Sequence, residues 1–418
     1  MALTLALCAL VGFNLRTVLL GVPPVLPLLQ RDLGLSYTAL GLIPAIPSLC
    51  LGLLAWPLAP AIGRYGGRTA IAVGLAVLAV GAGLRAIPGV IPLYVFTIVL
   101  SVGVTIAQAA MPVLTRQWFP ARIGLVTAVF SSAMMIGETT AVAVTGPVLL
   151  PALGRDAWPA TFVVWSVPVV AALVLWLVLA PAAPPLGTAA STRRAHTRRA
   201  KTRIADTDQA PTRPNGAPVA PEGVAPGGVS MPHRPRVSAW HLGLLVGTSS
   251  LMYFGMNAWI PNFDLAVGRA GGTAAALATL SAFQLPVGLG LTVTAQRLVG
   301  RRWPFVAAGI VALVALAGWL WAPAATGPWW TALIGGASAG VFVLGSALPP
   351  MLVPAEDVGR LAGATISLGY SLAFVGPLLG GRLWDAAHVP ALAFLPVALA
   401  GGLLILLGAT LPGPGSPP

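Results

Sequence analysis

Long apolar runs, each bounded by a short polar cluster, form the dominant pattern along the chain. A helix that crosses a bilayer needs about 20 consecutive, mostly apolar residues. The predicted spans are residues 2–29, 37–58, 70–86, 90–114, 123–150, 159–180, 240–262, 273–296, 304–322, 329–353, 361–383 and 390–411. Strands of a membrane barrel would instead alternate apolar and polar positions over about 10 residues. The pattern therefore predicts an all-α membrane protein with twelve transmembrane helices.

A long polar segment separates the first six predicted spans from the last six. It is rich in Pro, Ala, Arg and Thr, and it has too little apolar content to form a core. We therefore expect an N-terminal six-helix bundle at 1–180 and a C-terminal six-helix bundle at 240–411. Between them we expect a basic, disordered cytoplasmic linker at 181–239, and after them a cytoplasmic tail at 412–418.

A short internal repeat supports this division. A shift of 238 residues aligns identical residues of spans 4–5 and 10–11: Pro112 with Pro350, Leu114 with Leu352, Arg122 with Arg360 and Thr127 with Thr365. Parallel repeats related by an axis along the membrane normal are a known transporter architecture. The sequence thus predicts two six-helix pseudo-repeats.

The distribution of charge predicts the orientation of the chain in the membrane. Only 8% of residues are charged, yet the net charge is +13. With the amino end inside, 17 of the 23 cations fall in cytoplasmic segments, Arg16 lies within a span, and five are external: Arg31, Arg85, Arg155, Arg269 and Arg382. Cytoplasmic loops are enriched in Lys and Arg, so we expect both termini on the cytoplasmic side of the cell membrane. The linker cations then serve topology and contact with lipid headgroups, and we expect no nucleic-acid partner.

Several other classes of site lack a sequence signal. Cys8 and Cys50 lie in apolar runs without metal-ligand spacing, and the four histidines fall in the linker or near span ends. We find no nucleotide loop or metal motif, so we expect no cofactor, no metal and no ATP-driven step. No basic segment precedes the first apolar run, which argues against a signal peptide; we expect a native start upstream of Met1, or a shortened chain.

Two charged residues lie deep inside predicted spans, well away from the span ends, where an ion costs several kcal/mol and usually has a function. Arg16 and Glu138 each lie 15 residues from the start of their spans, at Met1 and Ile123. That distance is roughly 22 Å at a helical rise of 1.5 Å. We expect both to face a shared cavity. Arg16 would attract an anionic or strongly polar solute, and Glu138 would neutralise Arg16 between turnovers or carry a proton; a permanent structural ion pair is the alternative.

A second set of polar and aromatic residues lies at similar depth. Amides and hydroxyls can replace water around a small solute, and Trp can form an apolar wall. The candidate solute-binding residues in this set are Gln108, Tyr253, Asn257, Trp259, Gln284 and Tyr370, with Asn262 and Ser367 nearby. Hydrogen bonding between helices is the alternative role for each of them.

Several segments resemble the cyanate and nitroimidazole transporter branch of the major facilitator superfamily. They are the triplet Asn14-Leu15-Arg16 with residues 23–36, and residues 59–68, 119–122 and 363–385. The resemblance implies the twelve-helix fold, alternating access and a small polar or anionic solute, such as a cyanate-like or nitroheterocycle-like compound. It also implies that Asn14 and Arg16 lie at the cavity, and that the protein is a monomer.

Together these features predict a secondary transporter in the cell membrane that moves a small-molecule solute, with proton coupling, and not an enzyme. Proton-driven multidrug efflux is the nearest alternative. A membrane channel or a membrane-embedded enzyme is the alternative from another class, but no nucleophile with a neighbouring base or metal is evident in the sequence.

Overall fold

The computed structural model describes residues 1–154, 156–181, 239–298, 301–348 and 355–411. Within these ranges the chain forms helices and short connections, with no strand. The helices before the linker are α1 (Ala2–Leu20), α2 (Leu26–Leu33), α3 (Tyr37–Tyr65), α4 (Gly67–Leu84), α5 (Val90–Trp118), α6 (Ile123–Val144), α7 (Leu150–Leu153) and α8 (Trp158–Leu179). A short 3-10 turn joins α1 to α2, and a π-helical turn joins α6 to α7.

In the described ranges after the linker there are seven α-helices. They are α9 (Ala239–Ala266), α10 (Thr273–Ala282), α11 (Gln284–Leu298), α12 (Trp303–Trp321), α13 (Gly327–Ser346), α14 (Ala355–Ala387) and α15 (Leu395–Thr410). The linker leaves α8 after Leu179 and rejoins at Ala239, so we call this side of the bundle the linker end. The opposite side, which carries Leu84 and Tyr37, is called the far end.

Eleven of the described segments are long and apolar enough to cross a membrane. They correspond to every predicted span except the seventh, which forms α9, a 28-residue helix with many polar positions. The chain is therefore a multi-pass helical membrane protein, and the helical fold is confirmed.

The main difference in boundaries concerns the second and third spans. The sequence predicted a span that ends at residue 58 and a loop before residue 70, but α3 continues to Tyr65 and α4 begins at Gly67. Gly66, with a φ of 83°, supplies the single break, a backbone conformation that glycine adopts without a steric penalty. In the sequence, Pro57 and Pro60 indicate a loop at the end of the second span, but both prolines lie within helix α3.

Small residues allow close helix packing within the bundle. A Cβ placed on Gly74 of α4 would lie 2.8 Å from the backbone nitrogen of Ala107 on α5. The same relation holds in reverse at Gly103 of α5, whose Cβ would lie 2.5 Å from the backbone nitrogen of Leu78. Such contacts are typical of membrane helices, where close van der Waals packing replaces the hydrophobic drive of water.

Some sequence predictions fall outside the described residues. These are the disordered state of the linker, the tail at 412–418, and Pro350 and Leu352 of the internal repeat.

Candidate substrate site

A central cavity of about 1030 Å³ lies among the helices. Its lining comes from the second halves of α3, α5 and α13, the first half of α14, the middle of α9, α6 as far as Glu138, and one residue each of α1 and α11. All of these segments lie between mid-depth and the linker end. Lining residues near that end, such as Ala59, Thr127 and Gly363, are exposed. The cavity therefore opens at the linker end.

An ion pair lies at the deep end of this cavity. The Nε atom of Arg16 is 3.3 Å from Oε1 of Glu138, and the two side chains are only 9% and 7% exposed. Helices α1 and α6 approach closely here because a glycine precedes Glu138: a Cβ on Gly137 would overlap the carbonyl oxygen of Phe13. The sequence Gly137-Glu138 thus supplies both the carboxylate and the close approach that lets it reach Arg16.

The second carboxylate oxygen of Glu138 connects the ion pair to helices that follow the linker. The hydroxyl of Tyr253 on α9 donates to Glu138 Oε2 over 2.8 Å, and Nε2 of Gln284 lies 3.4 Å from the same oxygen. The Tyr253 hydroxyl also lies 3.0 Å from Oγ of Ser281, a fully buried residue. Since Tyr253 donates its one proton to Glu138, Ser281 must be the donor to Tyr253.

Two further candidates line the central cavity beside the ion pair. They are Gln108 of α5 and Tyr370 of α14. Both residues also line a smaller chamber on the far side of Arg16. The Oε1 atom of Gln108 is buried without a hydrogen-bond partner. A buried amide oxygen without a partner costs roughly 1–3 kcal/mol, which favours a ligand or water at this position.

The other candidates lie outside the central cavity lining. Asn257 lines the smaller chamber, and its Nδ2 donates to the carbonyl oxygen of Tyr253. Asn14 is fully buried in α1 and donates to the carbonyl oxygen of Leu10. Trp259 is also fully buried, and its Nε1 donates to the carbonyl oxygen of Pro377. Position along a predicted span does not give the direction of a side chain, so the sequence could not separate these residues from the cavity lining.

The two neighbouring candidates also differ in position. Ser367 lines the central cavity, whereas Asn262 lies deeper toward the far end, where its Nδ2 donates to Oε1 of Gln30 over 2.7 Å. The remaining cavity wall is mostly apolar and includes several Met and Phe side chains. It contains Met111, Met134, Met135, Phe130, Phe254 and Phe342.

The far end is closed by contacts between helices from the two sides of the linker. The carboxylate of Asp385, near the end of α14, accepts from the backbone nitrogens of Tyr37 and Thr38 over 2.9 and 2.7 Å, and from the Thr38 hydroxyl. The ring of Tyr37 stacks on Trp384 with a centroid distance of 4.0 Å. A Cβ on Gly381 would overlap the carbonyl oxygen of Tyr37, so α3 and α14 touch directly.

We call Tyr37, Thr38, Trp384 and Asp385 the far-end latch. Sequence analysis did not identify it. Asp385 lies just beyond the end of a predicted span, where a charged residue is ordinary and gives no signal. Its partners lie 347 and 348 residues away in the chain, a separation that no local pattern reveals.

No group of three or more His, Cys, Asp or Glu side chains within the described ranges could hold a metal ion. The charged groups at the deep end are instead one cation and one anion, with hydroxyl and amide donors around the anion. Such a site can bind a small polar or anionic solute, or exchange a proton.

Comparison with known proteins identifies the family. The model of the Major Facilitator Superfamily matches residues 3–377. The chain belongs to the major facilitator superfamily. Its members are transporters, and the twelve-helix fold predicted from the sequence is the fold of this superfamily.

Relatives within the superfamily are similar over almost their whole length. The uncharacterized transporter YycB of Bacillus subtilis (strain 168) is 26% identical, with 97% of this chain and 91% of that protein covered. The cyanate transport protein CynX of Escherichia coli (strain K12) is 26% identical, with 96% of each covered. The 2-nitroimidazole transporter of the same organism is 23% identical, with 96% of this chain and 92% of that protein covered.

A solved major facilitator structure shows the same fold. The crystal structure of a D-xylose-proton symporter superposes with a TM-score of 0.74 at 12% identity, and the match covers 99% of this chain and 98% of that one.

Proposed function

We propose that this protein is a secondary active transporter that moves a small polar or anionic organic solute across the cytoplasmic membrane by alternating access, coupled to protons. Arg16 is the anchor for the solute and Glu138 is the proton carrier. The observation that carries the proposal is the buried Arg16–Glu138 pair at the deep end of a cavity that is open at one end only.

Charge balance gives the mechanism. A net charge buried in a medium of low polarity is costly unless it is compensated. In the empty site, Arg16 and Glu138 neutralise each other at 3.3 Å. When an anion binds to Arg16, Glu138 regains neutrality by taking up a proton. The empty pair and the loaded, protonated pair are then both neutral, whereas an anion bound without a proton leaves the Arg16–Glu138 pair with an excess negative charge.

Protonation of Glu138 also alters the contacts between helices on the two sides of the linker. Tyr253 and Gln284 both lie against Oε2 of Glu138. Hydrogen bonds to a charged acceptor contribute about 1.5–3 kcal/mol, roughly twice as much as those to a neutral one. Proton uptake would therefore weaken the connection across the cavity and favour movement of one six-helix bundle against the other.

The relatives support a small solute, since two of them are named for transport of cyanate and of 2-nitroimidazole. The distribution of cations supports a cytoplasmic linker end, so the cavity would open to the cytoplasm. Basic residues of the linker would then face the anionic inner leaflet.

Proton-driven multidrug efflux is the second candidate, and the apolar wall of the cavity favours it. Flexible Met side chains and aromatic rings accommodate ligands of many shapes. In that case the large cavity volume would be used by a bulky solute, and Arg16 would not be its anchor.

Thermal unfolding of the purified full chain in detergent tests the proposal against this alternative. The ligands are cyanate, 2-nitroimidazole and a lipophilic cationic dye, since a ligand stabilises a protein by RT ln(1 + [L]/Kd). The protein variants are wild type, Arg16→Gln and Glu138→Gln, with Arg64→Gln as a control because Arg64 is exposed at the linker end.

We expect cyanate or 2-nitroimidazole to stabilise wild type and Arg64→Gln, and Arg16→Gln to lose this effect. In proteoliposomes, uptake of the same solute should accelerate with an imposed proton gradient, and Glu138→Gln should abolish that acceleration. Stabilisation by the cationic dye that persists in Arg16→Gln would overturn the anchor and favour efflux. Unchanged gradient dependence in Glu138→Gln would overturn the coupling.

A further inference from the structure

A second buried arginine lies on the far side of the ion pair. Arg85 follows the last residue of α4. Its cation was assigned to an external segment from the sequence, but the residue is only 2% exposed. Its position at the end of a predicted span gave no indication of this burial, which depends on the helices packed around it.

Arg85 has contacts, but none of them compensates its charge. Its Nη2 donates to the carbonyl oxygen of Val18 over 2.9 Å, and its guanidinium carbon lies 4.1 Å from the centroid of the Phe162 ring. Its Nε is buried without a partner. No carboxylate lies within ion-pair distance of Arg85 in the part of the chain that the structure describes.

The carboxylates of the helices before the linker already have other partners. Glu138 pairs with Arg16, while Asp32 and Asp156 both pair with Arg31 at the far end. An arginine side chain keeps its proton in proteins. The buried region around Arg16, Glu138 and Arg85 thus carries one uncompensated positive charge, which is costly at membrane depth.

Arg85 and Arg16 line the same small chamber, on the far side of the central cavity. Its volume is about 30 Å³, and because one water needs at least about 10–15 Å³ by this measure, it holds roughly two waters. Apolar residues, among them Leu19 and Ile43, form most of the wall, and Ser48 and Asn257 add polar groups. A chamber of this size admits a small anion with about the bulk of one or two waters, such as a halide or a formate-sized oxyanion.

We propose that Arg85 and Arg16 form an anion-binding site, distinct from the central cavity, that holds one small monovalent anion in this chamber. One negative charge compensates the one excess positive charge. The free guanidinium donors supply the charge-assisted hydrogen bonds that small oxyanions and halides accept. The anion has two sources, an inorganic ion such as chloride that resides in the protein, or the transported solute itself on its path to the far end.

The test measures thermal unfolding of the purified full chain against sodium chloride, sodium formate and sodium gluconate at constant ionic strength. The variants are wild type, Arg85→Gln, Arg85→Lys and Ser48→Val, which fills part of the chamber but leaves both arginines. Arg382→Gln is the control, since it removes an exposed cation at the same end.

We expect chloride or formate, but not the larger gluconate, to stabilise wild type and Arg382→Gln in a saturable way. Arg85→Gln and Ser48→Val should raise the dissociation constant of the anion by about tenfold or more, corresponding to about 1.4 kcal/mol of binding free energy. Arg85→Lys, which keeps the charge, should retain most of the effect. Stabilisation that is equal in wild type, Arg85→Gln and Ser48→Val would overturn the site, and so would a wild type that does not respond to small anions. If Arg85→Gln does not fold, Ser48→Val decides alone.

The outcome is separable from that of the proposed function. Loss of small-anion binding in Arg85→Gln establishes this site even if solute transport does not depend on Arg16. Conversely, if transport depends on Arg16 but stabilisation by small anions is unchanged in Arg85→Gln, this site alone is overturned. Flux of the stabilising anion into proteoliposomes identifies it as a transported solute, and absence of flux identifies it as a resident ion.

Discussion

The carboxylate of Asp385 accepts a hydrogen bond of 2.7 Å from the backbone nitrogen of Thr38, which lies 347 residues earlier in the chain. A residue of α14 thereby satisfies free amides in the first turn of α3, a role usually filled by a local capping side chain. Because α3 and α14 lie on different sides of the linker, these bonds join the two sides at the closed far end.

We expect Asp385→Asn to shift the protein toward a state that is open at the far end. Loss of charge-assisted bonds to this carboxylate costs the closed state about 2 kcal/mol, or roughly thirtyfold in the conformational equilibrium. Spin labels on Leu153 and Val267, which are 38% and 45% exposed, would report a greater distance in this variant.

Asp156→Asn is the matched control for that experiment. Asp156 lies at the same end, but it pairs with Arg31, which also precedes the linker. Its loss should leave the distance distribution unchanged. Equal distances in wild type and Asp385→Asn would refute the latch.

The two single neutralisations of the ion pair should differ in their dependence on pH. Removal of one partner from a buried pair typically destabilises by about 3–5 kcal/mol because the other charge is left uncompensated. In Arg16→Gln the remaining charge belongs to Glu138, which becomes neutral when it binds a proton. The folded state then binds more protons than the unfolded state, so stability should rise as pH falls.

Glu138→Gln leaves Arg16 charged at every accessible pH, so it should show no such recovery. The measurement is the midpoint of thermal unfolding in detergent across a pH series, compared with wild type. The idea of an uncompensated buried charge is wrong if both variants follow the wild-type pH profile.

Tyr253→Phe should separate proton coupling from solute binding. The substitution keeps the ring beside Phe254, with which it forms an edge contact at 5.2 Å, and removes only the hydroxyl that donates to Glu138. We expect a proton gradient to accelerate uptake about tenfold less than in wild type, because protonation of Glu138 no longer weakens a hydrogen bond worth about 1.5 kcal/mol. The stabilising effect of the solute should change little.

Tyr94→Phe provides the control. The Tyr94 hydroxyl donates to the carbonyl oxygen of Ala39, so both groups belong to helices before the linker. Its loss should not alter uptake. If Tyr94→Phe and Tyr253→Phe reduce uptake equally, the connection through Tyr253 has no special role.

Gly137→Ala should weaken the solute site by separating α1 from α6. The added methyl group would overlap the Phe13 carbonyl oxygen, and excess volume in a packed interior costs roughly 1–3 kcal/mol. We expect a lower unfolding temperature and weaker stabilisation by the solute. Gly124→Ala lies on the same helix, but its Cβ would meet nothing within 4 Å, so it should be neutral or slightly stabilising.

Sequence patterns predicted much of this fold but only part of the site. Apolar run length gives the spans, because the bilayer thickness imposes one length on all of them. The rarity of intramembrane charge identified Arg16 and Glu138, and equal distance from span starts indicated similar depth. Neither pattern gives the rotation of a helix about its axis, which decides that Gln108 lines the cavity while Trp259 packs against Pro377.

Arg85 and Asp385 show a further limit of sequence reasoning. Both lie near span ends, where a charged residue usually reaches the interface and attracts no attention. The burial of Arg85 depends on Phe162 and Val18, which lie on two other helices. Such contacts arise from the assembly of the bundle, so they follow from the fold and not from any local pattern.

The far-end latch also makes water a participant in the conformational change. When α3 separates from α14, the amides of Tyr37 and Thr38 and the carboxylate of Asp385 lose each other as hydrogen-bond partners and must bind water instead. Opening of the far end would therefore be accompanied by binding of water to these polar groups. High concentrations of an excluded osmolyte should favour the closed form, so the osmolality on that side of the membrane would influence how long the protein stays open.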